Sequence, residues 1–314
     1  LSRKKKLFVI IGILFSIIAI TIISISIYTS SMLNKIEREV INDSPEELGI
    51  DSNTSKKIEN TENSKNITNI LLFGIDQPEG SSGRSDSILI LTIDEAHNKI
   101  KLSSIMRDSY VNIDGRGMDK INHAYAFGGP QLAIKTINSN YKLNIKDYVS
   151  VNFTTLPNLI DTLGGVDITI KDYEISEMKT VGIKEPGAYN LTGNQALKYS
   201  RVRYVGNGDY ERTERHRTIL EKVFNKLIKL NVTELPGMMS ELLPMVKTNL
   251  TNSEILNLGK TVLGMGTTKL EQKRFPLDGY CNGKMIDGIW YLVFDQETTN
   301  EHLYQYIFED KEIE

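Results

Sequence analysis

Apolar positions along the chain change their spacing several times, and the changes mark its elements. An uncharged apolar run over residues 7–28 follows Arg3, Lys4, Lys5 and Lys6 and is long enough to cross a bilayer. From residue 34 to about 66 the large apolar residues thin out, and Asn, Glu, Lys, Ser and Asp take over. Such a composition buries too little surface to fold alone and predicts a stalk. Three short β-branched runs follow, NILLFGID from Asn69, SILILTID from Ser87 and KIKLSSI from Lys99, and they predict three strands in succession. Helical spacing is predicted around residues 133–139, 154–163, 194–199 and 211–230, with strands near 149–152 and 166–170. Two more helical stretches, 234–246 and 253–263, precede the strand-like KLEQKRF and GIWYLVF and a closing helix over 300–308. The alternation is that of an α/β domain, and with no linker in it, residues 69–308 read as one unit.

Composition changes this picture in three places. With 314 residues, 40% of them apolar and 25% charged, the chain can bury a sizeable core. A net charge of −3 argues against a nucleic-acid partner, which needs a basic face. The single cysteine, Cys281, excludes an internal disulfide and reads as a small packing residue. The chain has no CxxC pair, no P-loop and no internal repeat. By the positive-inside rule the basic end stays in the cytoplasm and the chain after residue 28 lies outside. A cleaved signal peptide is the alternative, with Ser24-Ile25-Ser26 as a poor cleavage site.

Arginine is distributed unevenly. Five of the eleven arginines fall between residues 199 and 217, in YSRVRYVGNGDYERTERHR. A planar guanidinium fork matches phosphate oxygens and stays charged, so the cluster predicts an anion clamp; a solvated basic helix face is the plainer reading. Ile219, Leu220, Val223, Leu227 and Ile228 have the spacing of an amphipathic helix. Counting back at about 100° per residue puts Arg212 and His216 on that inward stripe, Arg215 at its edge and Arg217 on the far side. Other charged residues stand at strand ends and adjoining loops, where α/β proteins place sites: Asp76, Arg84, Asp86, Arg107, Asp108 and Lys120. Asp76 and Asp86 flank one loop, and two carboxylates suit a hard cation, although Asp at a strand end also serves as a turn residue.

Taken together and in order, FGID, GRSDSILI, SIMRDSYV, KINHAYAFGG, VNFTTLPNLIDTLGGVDITI, LTGNQALKYSRVRY and DYERTERHRTIL, behind a single apolar anchor, resemble the LytR-CpsA-Psr family. The likeness spans residues 69–230; the family has proline where Met106 stands and usually glutamine where His216 stands. The resemblance implies a single α/β/α sandwich with a central mixed sheet behind one N-terminal transmembrane helix. Residues 1–6 are then the cytoplasmic end, 7–28 the membrane span, 29–66 an extracellular stalk and 67–314 the catalytic domain. It also implies a phosphotransferase on the outer membrane face of a Gram-positive bacterium. Such an enzyme moves a glycopolymer, teichoic acid or capsular polysaccharide, from undecaprenyl pyrophosphate to a peptidoglycan sugar hydroxyl.

By the same resemblance Asp76 and Asp86 hold Mg²⁺ or Mn²⁺, and Arg84, Arg107, Lys120, Arg201, Arg203, Arg212 and His216 grip the pyrophosphate. Asp86, Arg107, Arg203, Asp209 and Arg212 are the implied catalytic set, with Asp86 or Asp209 taking the acceptor's proton. LPNLIDTLGGV and the helix from Ile219 have the apolar residues to line a groove for the lipid tail, though such faces are usually ordinary core. A pyrophosphatase acting on the same lipid and a non-catalytic regulatory protein are the rival readings. A glycan-binding module is a further one, opposed by the strand-like setting of Trp290, the only tryptophan.

Overall fold

Strand alternation builds the centre of the molecule. The computed structural model describes residues 27–76, 83–203, 205–206, 208–227, 229, 235–267 and 269–313. The basic end and nearly all of the apolar run 7–28 lie outside these residues. Among the described residues no helix is long and apolar enough to cross a membrane.

In chain order the elements are β1 (Glu37–Arg38), α1 (Ser52–Glu59), β2 (Ile67–Asp76), β3 (Arg84–Asp94), β4 (Lys99–Ile105), β5 (Tyr110–Ile113), β6 (Gly117–Lys120), α2 (His123–Tyr141), β7 (Asp147–Asn152), α3 (Leu156–Thr162) and β8 (Val166–Ile170). They continue as α4 (Ile175–Met178), β9 (Gly187–Leu191), α5 (Gly193–Arg201), α6 (Asp209–Leu227), α7 (Leu235–Leu242), β10 (Val246–Thr248), α8 (Asn252–Met265), β11 (Leu270–Phe275), β12 (Cys281–Ile286), β13 (Ile289–Phe294) and α9 (Gln296–Phe308). Seven strands form one mixed sheet in the order β1-β10-β7-β2-β3-β4-β11. The β2–β7 and β4–β11 pairs are parallel, whereas β2–β3 and β3–β4 are antiparallel.

Alternate side chains leave the sheet on opposite faces. Leu71, Phe73, Ile75, Ile88, Ile90 and Ile105 enter a core with α2 and α9. Leu72, Leu89, Val149 and Val151 face the other way, toward α3 and α6. Beside those two helices a second core joins Ile160, Val166, Ile168, Ala196, Tyr199 and Ile219. The result is a mixed sheet between two helical layers, as expected.

Residues 29–66 differ from their reading as a stalk. Leu48, Ile50 and Ile58 are buried in the first core, Asp51 caps α1 through the Asn53 and Thr54 amides, and β1 extends the main sheet beside β10. A polar segment cannot make a core of its own, yet a few apolar anchors suffice when a finished surface already waits for them. The predicted helix over 234–246 stops at Leu242, and the chain re-enters the sheet as the three-residue strand β10, too short to carry a periodic signal.

Candidate functional site

A bulge delivers the first acidic residue. β2 and β3 pair without interruption as far as Gly74 opposite Ser87; then the register shifts, so that Ile75 faces Ser85 and Asp76 faces Arg84. Asp86 is the extra residue, turned off the ladder. Glycine at 74 permits the close packing here, since a Cβ would meet Phe153 at 2.8 Å and the Ser87 Cβ at 2.9 Å.

Asp86 Oδ1 accepts from Arg107 Nη1 at 2.7 Å and from Asn122 Nδ2 at 3.1 Å. Burial pushes this carboxyl up, but the fields of Arg107 and Arg212 and the two hydrogen bonds outweigh it, holding Asp86 below the ordinary carboxylate range. Asp108, also buried, ties the neighbouring cations together: Lys120 Nζ lies 2.7 Å from its Oδ1 and Arg107 Nε 3.4 Å from its Oδ2. Arg212 is buried in the first turn of α6, pointing inward as the periodicity predicts.

The remaining candidates gather at the open end of the same hairpin. Arg201, the last residue of α5, places Nη2 3.0 Å from Asp76 Oδ1, with both side chains largely open to solvent. Arg84 is exposed opposite Asp76. Arg203 is half-buried between α5 and α6; Asp209 opens α6, and its side chain lies outside the described residues. So Asp86, Arg107, Lys120 and Arg212 form an inner group, and Asp76, Arg84 and Arg201 a rim.

The arginine-rich stretch therefore divides. Arg215 is fully committed to packing, with Nε 2.7 Å from Glu174 Oε1, Nη1 on the Val202 carbonyl and Nη2 on Glu211. Arg217 reaches the Ser104 hydroxyl, and burial lowers it to about 10. His216, expected in the pyrophosphate grip, has its Nε2 donating to the Ser200 carbonyl at 3.0 Å. Burial, reinforced by the Arg212 charge, lowers its pKa to about 3. A neutral, committed imidazole offers a phosphate no positive charge, so its place is that of a wall.

This imidazole makes the fold acid-sensitive. The unfolded chain takes up the proton near the ordinary 6.5 while the folded chain resists to about 3, so stability is lost as pH falls across that window, by about 1.4 kcal/mol per unit. His216→Gln can still donate to Ser200 and does not titrate. Urea unfolding at pH 7 and pH 5 is expected to show the variant losing about 2 kcal/mol less than the parent.

Behind His216 lies an apolar cavity of about 160 Å³, bounded by Leu72, Leu89 and Val151 of the sheet, Leu159 of α3, and Leu220 and Val223 of α6. Both stretches singled out for a lipid groove contribute to it. Ser200, Ser87 and His216 also line it, so the cavity adjoins the inner group through the residue after Asp86 and the residue one turn after Arg212.

Sequence reasoning did not pick out Asn122 or Ser200, and it gave Asp108 no role. Asn122 carries no charge to mark it, and Ser200 meets His216 through its carbonyl, for which a sequence has no sign. Asp76 and Asp86 bring two hard oxygen donors, of the kind a divalent cation takes, to one hairpin end, and each has Oδ1 engaged by a guanidinium. Among the described residues, Asp94, His97 and Asp310 also approach one another, but Lys101 Nζ, 3.2 Å from Asp94 and 2.8 Å from Asp310, already supplies the positive charge.

A basic group around a bulged aspartate, beside an apolar cavity, sits at one end of the mixed sheet of an α/β protein. The family model LytR_cpsA_psr matches residues 23–307, and the chain belongs to that family. It is 34% identical over 293 residues to the polyisoprenyl-teichoic acid–peptidoglycan teichoic acid transferase TagU of Bacillus cereus, covering 92% of each chain. TagU of Oceanobacillus iheyensis is 32% identical over 266 residues, covering 82% of this chain and 80% of the relative. Among solved structures, TagT bound to LIIa-WTA superposes with a TM-score of 0.64 at 28% identity, covering 78% of this chain and 92% of the other. The family protein YwtF (TagT) with bound octaprenyl pyrophosphate lipid gives 0.60 at 27%, covering 77% and 91%.

Proposed function

We propose that this chain transfers a glycopolymer, teichoic acid or a capsular or secondary wall polysaccharide, from undecaprenyl pyrophosphate to a sugar hydroxyl of peptidoglycan. The observation that carries the reading is the adjacency of the Asp86–Arg107–Arg212 group to the apolar cavity behind His216. A ligand with a doubly charged head and a polyprenyl tail needs both, side by side. The names of the relatives, and the lipid in YwtF, support it.

Phosphoryl transfer asks a protein to position reactants and to neutralise charge on the transferring oxygens. Arg107 and Lys120 are held for this by Asp108, and Arg212 is turned inward from the first turn of α6. The acceptor hydroxyl attacks the glycan-linked phosphorus, the bridging P–O bond breaks, and undecaprenyl phosphate leaves with the bond's electrons. The hydroxyl proton passes to Asp86 or Asp209. Since Asp86 is held below the usual range, it is the poorer base, which favours Asp209. Asp76 and Asp86 would hold Mg²⁺ or Mn²⁺, whose charge offsets that of the pyrophosphate. The apolar run 7–28 would anchor the chain with this domain outside the cell.

The test uses the full chain in detergent, because residues 36–66 belong to the fold. Labelled glycan on the lipid carrier is supplied with peptidoglycan oligomers and Mg²⁺. Label joined to peptidoglycan supports the transferase; free glycan phosphate instead shows a pyrophosphatase. Val223→Trp fills the cavity and is expected to raise KM for the lipid-linked donor at least about tenfold, the cost of about two unburied methylenes. A donor truncated to a short tail should be indifferent to it.

A further inference from the structure

The β12–β13 hairpin packs beside the inner group, yet nothing in the proposed reaction uses its outer end. Asp287 and Gly288, at φ 49° and 78°, make the tight two-residue turn that lets it project. At its base it is fixed to the inner group, because the Leu292 amide donates to the carbonyl of Asp108 at 2.9 Å. Tyr291 packs on Tyr110 with ring centroids 4.6 Å apart, and Lys120 Nζ lies 5.7 Å from the Tyr291 ring. Its far end is apolar and open: Met285 is 61% exposed, Ile289 48% and Trp290 36%.

Trp290 is held in a particular pose. It pairs across the hairpin with Met285 and overlies Gly283, where a Cβ would meet the indole Nε1 at 2.7 Å and Cζ2 at 2.9 Å. Alternation puts Cys281, Gly283 and Met285 on the face shared with Trp290. Cys281 Sγ is 3.6 Å from the hydroxyl of Tyr210, one residue into α6. The indole thus shares its face with Cys281, which reaches the first turn of α6. Arg212, His216 and Val223 line one stripe of α6 toward the apolar cavity, whereas Tyr210 and Arg217 lie about 120° round the helix. The hairpin and the cavity flank the site from different sides.

In-line displacement keeps the attacking and leaving oxygens on opposite sides of phosphorus. With the lipid in the cavity, the acceptor has to approach from another flank. A pyranose ring has an apolar C–H face and a polar rim, which suits a flat, half-exposed indole with one N–H. We infer that the Trp290 face of the β12–β13 hairpin is the docking platform for the acceptor glycan strand, stacking one of its sugar rings and setting which hydroxyl reaches the phosphate. The inference rests on the proposed transferase reading for its choice of occupant.

Because Trp290 is the chain's only tryptophan, intrinsic fluorescence reports on it directly and without any turnover. The full chain in detergent is titrated with N-acetylglucosamine–N-acetylmuramic acid tetrasaccharides, and separately with phosphatidylglycerol vesicles. A saturable blue shift with the glycan and none with vesicles is expected. A shift with vesicles alone, or with neither, overturns the platform. In the transfer assay Trp290→Ala should raise KM for the acceptor about five- to tenfold, as for loss of one stacked ring, with KM for the lipid donor unmoved. Trp290→Phe should recover most of that loss, and Gly283→Ala, which lifts the indole, should reproduce it. Glycan binding by a chain that transfers nothing would sink the transferase reading and leave the platform standing. Transfer with an acceptor KM indifferent to Trp290 would do the reverse.

Discussion

Asp86→Ala is expected to lower the rate of glycan transfer on the order of a hundred- to a thousandfold, with the fold retained. The carboxylate sits where the hairpin bulges away from its ladder and is gripped by Arg107 and Asn122. Removing it frees Arg107 from its 2.7 Å contact and takes away one of the two acids that would hold a divalent cation. Asp86→Asn separates these effects. An amide oxygen can still accept from Arg107, so the pocket keeps its shape, but the negative charge is gone. Asparagine is therefore expected to be nearly as slow as alanine, and an active asparagine variant would show that Asp86 works by shape alone. Circular dichroism and single-turnover transfer, measured on the same samples, give the comparison.

Glu174→Ala is expected to do the opposite: to destabilise the protein by about 3–5 kcal/mol while each folded molecule keeps its chemistry. Glu174 and Arg215 are both almost completely buried and pair at 2.7 Å; without Glu174 the guanidinium keeps the Val202 carbonyl and Glu211 but loses its buried counter-charge. Breaking one side of such a pair leaves an uncompensated charge, which is why the cost is large. Arg212→Lys, three residues earlier on the same helix, is expected to show the reverse pattern, slow transfer with nearly unchanged unfolding. Urea titration alongside initial rates distinguishes the two arginines, which a sequence presents as equals.

Much of the fold was legible in the sequence because its signals are local. The runs NILLFGID, SILILTID and KIKLSSI became β2, β3 and β4, since β-branched alternation needs only neighbouring residues to be read. The inward turn of Arg212 followed from helical period alone, and the family from ordered motifs. Other features depended on contacts far apart in the chain. Residues 36–66 looked unable to fold because their composition was judged in isolation, whereas Leu48 and Ile58 pack under α2 and α9. The bulge at Asp86 is a property of two strands paired together, not of either one. Tertiary packing also decided which members of the cluster are spent on structure: Glu174 claims Arg215 from 41 positions away in sequence, and burial beside Ser200 turns His216 from a prospective cation into a neutral wall. The sequence by itself thus determined the elements, the family and the stock of charged groups. Which of those charges are committed to packing was settled only by burial and pairing, because the field at a side chain is a sum over neighbours that the linear order does not contain.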